Sequence, residues 1–118
     1  MAAKGANLIY PALGVPQFEN PEMVFTITSS TINPSAAYTV LGSNKITTVA
    51  AGAGPHLSFS DAPPFNEPGW GDYSFAQPDP SGFGVWLATE YIPPAADQNP
   101  LDNWGTYVFE VNQFPPGR

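Results

Sequence analysis

Two carboxylates in the second half of the chain, Asp72 and Glu90, have the type and spacing to do chemistry together. If the segments carrying them are strands that pair around a turn centred near Ser81, then 72 lies opposite 90, 74 opposite 88 and 76 opposite 86. Opposed carboxylates on adjacent strands repel each other unless a cation, a shared proton or a donor-rich pocket compensates. The same placement drives two pKa values apart, as an acid/base pair requires. A structural reading stands beside it, in which the register differs by one or two residues or each carboxylate accepts backbone or tryptophan N–H bonds.

Aromatic residues crowd the same region. Trp70, Tyr73, Tyr91 and Trp104, with Tyr107, could form a platform for a sugar, because a flat ring offers an apolar face and, in Tyr and Trp, a polar edge. Trp86 and Tyr107 are expected in the core. Trp70 and Trp104 each precede a glycine, where backbone can approach a ligand closely. His56 is the single histidine, so a histidine-rich zinc site is excluded and a Ser-His-Asp triad would hang on this residue alone. Asp97-Gln98-Asn99 with Asp102-Asn103 is oxygen-rich enough for calcium but lacks the glycine and glutamate spacing of an EF-hand loop; a solvated loop fits it better. Gly52-Ala53-Gly54 has no following Lys-Ser/Thr and is no phosphate loop. No other cofactor is evident.

The elements that must position these residues read as strands. With 15 Pro, 11 Gly and only 11% charged residues, the chain suits short strands and turns better than amphipathic helices. Asn7 to Val15 is an apolar strand broken at Pro11, and Met23 to Thr28 alternates large apolar residues with threonine. Gln17 to Glu22 reads as the turn between them. Asn33-Pro34-Ser35 is turn chemistry, Ala36 to Leu41 a third strand, and Lys45 to Ala50 a fourth after Gly42-Ser43-Asn44. Residues 51–69 form one long connection, of a length that is disproportionately functional. Asp72 to Gln77, Val85 to Ile92 and Trp104 to Val111 follow as three strands, and Phe114 to Arg118 cannot continue a sheet.

The chain thus divides into a four-stranded unit at 7–50 and a three-stranded unit at 70–113 within a single all-β unit spanning 1–118. These antiparallel meander sheets have the pattern of two successive β-propeller blades, with a small β-sandwich as the alternative. Sheets apolar on both faces need neighbours, so self-association, further blades or face-to-face closure is expected.

Composition narrows the partners. A net charge of −7, with Lys4, Lys45 and Arg118 scattered, gives no footprint for nucleic acid and repels anionic membranes. No apolar stretch approaches the ~18 residues of a membrane span, and the first residues are too polar and broken for a secretory core. The absence of cysteine leaves the compartment open.

Pro34-Ser35-Ala36-Ala37-Tyr38, Gly52-Ala53-Gly54-Pro55, Trp70-Gly71-Asp72-Tyr73-Ser74, Trp86-x-Ala88-Thr89-Glu90-Tyr91-Ile92 and Asn103-Trp104-Gly105-Thr106 occur in one order. Together they resemble the C-terminal part of a group of largely uncharacterised exported bacterial proteins, β-propellers of the sialidase-like, Asp-box type. The resemblance spans about Asn7 to Val111. It implies an extracellular setting and further blades upstream, with Met1 the start of a shortened form. A strict Asp-box, Ser-x-Asp-x-Gly-x-Thr-Trp, is absent; Asp79, Gly82 and Trp86 only approximate it, and sialidase activity does not follow. The expected function is a non-catalytic structural or ligand-binding module for a glycan or protein. The alternative is a glycosidase-like or sialidase-like hydrolase using Asp72 and Glu90.

Overall fold

A computed structural model of the chain describes residues 4–66, 69–99 and 101–113, and the expectation for 114–118 lies outside them. Among the described residues the fold is all-β. β1 (Asn7–Gly14), β2 (Glu22–Thr28), β3 (Ser35–Val40) and β4 (Thr47–Ala50) form one antiparallel meander in the order β1-β2-β3-β4. β5 (Phe75–Pro78), β6 (Val85–Tyr91) and β7 (Gly105–Val111) form a second. Short 3-10 turns at Phe59–Asp61 and Ala95–Asp97 interrupt the two long connections. No helix among the described residues is long and apolar enough to cross a membrane.

Local chemistry accounts for the strand limits. Pro11 cannot donate to a ladder, and the β1–β2 register shifts between Ile9 and Ala12, with Tyr10 at φ 51°. β2 begins at Glu22 rather than in the turn expected there, and β4 is shorter than expected.

The two sheets pack face to face, as in a small sandwich. Period-2 alternation sends Val24 and Thr26 of β2 and Val85, Leu87 and Thr89 of β6 inward, where Val24, Val85 and Leu87 form a fully buried core. Ala12, Tyr38, Ala76, Phe109 and Val111 surround it. At ~25 cal/mol per Å² of apolar surface, burying each such side chain contributes roughly 1.5–3 kcal/mol. Gly14 lets the sheets approach, because a Cβ there would overlap Val85 and lie 3.3 Å from Ala76.

A polar seam crosses the same interface. Thr26 Oγ1 donates to the Glu90 carbonyl at 2.8 Å and shares a hydrogen bond with Thr89 Oγ1, which also meets Ser74 Oγ. Glu19 closes one end of the sandwich, accepting from the Gly84 N–H at 2.9 Å and the Gln113 N–H at 3.1 Å. At the other end, Ile92 N–H donates to the Pro34 carbonyl and Ala53 N–H to the Ile92 carbonyl.

The outer faces differ. On the four-stranded sheet, Phe25, Ile27 and Ala37 are buried beneath Ala6, Leu8, Met23 and Ile46, so this face supplies its own cover. The outer face of the three-stranded sheet is open over Phe75, Trp86 and Val108.

Candidate functional site

Register decides what that open face presents. Phe75 pairs with Ala88 and Ala88 with Val108; Gln77 pairs with Trp86 and Trp86 with Glu110. Directly opposed residues share a face, so Phe75, Trp86, Val108, Gln77 and Glu110 all point outward. Exposure agrees: 58% for Phe75, 44% for Trp86 and 61% for Val108, against none for Leu87 between them. Tyr73, 85% exposed, extends this surface at one end, since its neighbour Ser74 turns inward to Thr89. Trp104, just before β7, is also exposed.

Trp86 is held in place. Its indole Nε1 donates to Asp79 Oδ2 at 3.2 Å, and Ser81 caps the same carboxylate through its backbone N–H at 2.8 Å. Hydrogen bonds from the Ser81 side chain and backbone, with a smaller one from Trp86, hold the Asp79 carboxyl below its usual range. The result is a shelf of aromatic and aliphatic surface with Asp79, Gln77, Glu110 and Thr106 at its margins. An exposed apolar patch rimmed by polar groups is the usual mark of an interaction surface.

This placement corrects the expectation for Trp86 and, for Asp72 and Glu90, follows the reading in which the register differs by one residue. Trp86 is not in the core: it is the centre of the exposed shelf. Asp72 does not face Glu90, because the hairpin register runs one residue differently from a turn centred on Ser81. The loop from 79 to 84 is fixed by Asp79 N–H to the Gly84 carbonyl, Gly82 N–H to the Asp79 carbonyl, and left-handed Gly82 and Gly84 at φ 83° and 82°. Its centre therefore falls between residues 81 and 82, and β5 starts at Phe75, beyond Asp72.

The predicted aromatic set is divided accordingly. Tyr73 and Trp104 belong to the open shelf. Tyr91 stacks edge-on with Tyr107 at 5.6 Å, and Tyr107, half-buried, adjoins Phe109 toward the sheet interface. Trp70 meets His56 edge-on at 5.2 Å, and its indole N–H is buried without a partner among the described residues. His56 Nε2 is in the same state, while its Nδ1 lies 3.9 Å from Asp61.

Glu90 sits under this group. Its carboxylate lies against Gly71, where any Cβ would overlap it, and Oε2 is buried without a hydrogen-bond partner among the described residues. Burial raises its pKa, the Gly71 N–H opposes that rise, and the charge of Asp72 adds to it. The charge of Asp72 thus reaches Glu90 without the two being paired, and Glu90 turns its oxygens to Gly71.

A separate hollow of about 550 Å³ lies between the connections, lined by Leu57, Phe59, Gln98, Asn99, Leu101 and Asp102 among others. Asn103 at its wall accepts from Leu57 N–H and donates to the Pro55 carbonyl, and Asn99 accepts from Leu101 N–H. Two oxygens of the calcium candidate therefore already accept from backbone N–H groups, one of them in the other connection. No group of three or more His, Asp or Glu gathers among the described residues.

Phe75, Gln77, Val108 and Glu110 escaped the sequence reading. The signal for Val108 and Glu110 was present in β7, where Thr106 and Glu110 flank Val108 at period 2 and mark its face as the solvent side. Comparison of the chain with family models, with curated proteins and with solved structures returned no match.

Proposed function

We propose that this chain is a non-catalytic, β-propeller-like ligand-binding module that recognises a glycan on the outer face of its three-stranded sheet. The observation that supports this is the shared outward face of Phe75, Trp86 and Val108, extended by Tyr73, with the Trp86 ring anchored to Asp79. Flat rings take the apolar face of a sugar, while Asp79, Gln77, Glu110 and Thr106 stand where its hydroxyls would need partners. The net charge of −7 favours neutral or cationic sugars over acidic ones. Sheets stacked face to face are also how consecutive propeller blades meet, which supports the propeller-like part of this reading.

Affinity electrophoresis and calorimetry against neutral polysaccharides test this. The intact protein should be retained, and Trp86→Ala should weaken binding by about tenfold or more while leaving the fold intact. Binding to none of the panel, or equal binding by the variant, counts against the proposal. A hydrolase reading draws on the raised pKa of Glu90 beside Asp72. Turnover of a glycoside, lost in Glu90→Gln with folding preserved, would favour it.

A further inference from the structure

The four edges of the two sheets are not alike. β1 contains Pro11 and a register break. β4 is four residues long and its ladder to β3 also shifts. β5 is four residues long and ends on Pro78. Short strands, prolines and bulges are the devices that keep natural sheet edges from pairing with another chain. β7 has none of them. Its seven residues pair with β6 without interruption, contain no proline or lysine, and have no strand on their other side among the described residues.

A hollow of about 380 Å³ opens along this edge, between Tyr38, Thr47 and Val49 of the four-stranded sheet and Tyr107, Phe109 and Val111 of β7. The second sheet has one strand fewer than the first, and the hollow lies where a strand added beside β7 would turn its inner side chains.

We propose that β7 pairs antiparallel with β7 of a second copy about a twofold axis at Val108, giving one continuous six-stranded sheet. β7 is self-complementary in this register. All seven residues find a partner, with Val108 opposite itself and Gly105 opposite Val111. Glu110, the only charge in the strand, falls opposite Thr106, so no like charges meet. A twofold at Glu110 would instead oppose two carboxylates. On the inner face Tyr107 falls opposite Phe109, so the aromatic linings of the two copies' hollows adjoin across the twofold. The pairing stands on the edge alone and does not depend on glycan binding, but it would join the two aromatic shelves into one surface.

Sedimentation of the full chain from about 1 to about 200 µM tests the pairing, with a concentration-dependent shift from monomer to dimer expected. Because each copy carries −7, the dimer should tighten as salt rises. Thr106→Glu opposes two carboxylates at each of two symmetry-related positions and should weaken dimerisation about tenfold; Thr106→Lys should tighten it. Val108→Lys, beside neutral Ala88, should also weaken it, and keeps the test open if Thr106→Glu, beside Glu90, perturbs folding. Circular dichroism establishes that each variant is folded. A monomer throughout the range overturns the proposal and leaves the edge to a strand of another protein. A dimer indifferent to all three substitutions overturns it too, placing the contact elsewhere.

Discussion

Replacing Glu22 by Gln should make the protein more stable above neutral pH and leave it almost unchanged below about pH 5. Glu22 faces inward from β2 and has 0% exposure. Oε1 accepts from Gln113 Nε2 at 2.9 Å, while Oε2 is buried with no partner among the described residues. Burial is the main cause that lifts its pKa from 4.5 to about 7; the Gln113 hydrogen bond opposes the rise and the charge of Glu19 adds to it. The folded state therefore holds this proton more tightly than the unfolded chain does. The resulting stabilisation is complete below the unfolded pKa and is lost as pH rises through about 7. At 1.36 kcal/mol per pKa unit the loss comes to about 3 kcal/mol, or roughly 10 °C in Tm for a domain of this size.

Thermal and urea denaturation of both proteins from about pH 4.5 to 8.5 measures it. The wild-type midpoint should fall across this window, and that of Glu22→Gln should fall much less. The slope left in the variant belongs to Glu90, whose pKa is also raised by burial. A wild-type midpoint that is flat, a parallel fall in the variant, or a variant less stable at alkaline pH would each refute the reasoning.

Two further substitutions probe the contact between the sheets. Gly14→Ala places a methyl group against Val85 and Ala76 in a packed interface and should cost about 1–3 kcal/mol, read from the urea midpoint. Thr26→Val keeps the shape but removes the donor to the Glu90 carbonyl and the bond shared with Thr89; about 1–3 kcal/mol of destabilisation is expected in the same assay.

The legible parts of this fold are those whose causes are local. Thr26 and Thr28 alternating with Phe25 and Ile27 mark a two-faced strand, and Pro11 forces a ladder fault wherever it sits. The second hairpin is different, because a six-residue loop can be centred on a residue or between two. Left-handed Gly82 and Gly84 decide between these, and glycine alone does not announce its φ. That single step of register separates Asp72 from Glu90, while Trp86 points outward because Val85, Leu87 and Thr89 on either side of it take the inner face of β6. Glu22 was illegible for another reason. Its neighbours Asn20 and Pro21 read as turn, and the group that satisfies it, Gln113, lies 91 residues away with no local trace.

The ties around Glu19, Asn20 and Gln113 also order events in time. Within each sheet every ladder joins strands that follow one another, so either meander can form from nearby segments. Glu19 and Gln113 are 94 residues apart, and closing a loop of that length costs on the order of 4 kcal/mol of chain entropy. Contacts so distant in sequence carry the largest closure entropy, and they are expected to form after the sequence-local ladders. Weakening them should therefore speed unfolding while leaving the refolding rate nearly unchanged, so that this clasp sets the lifetime of the native state rather than the speed with which it is reached.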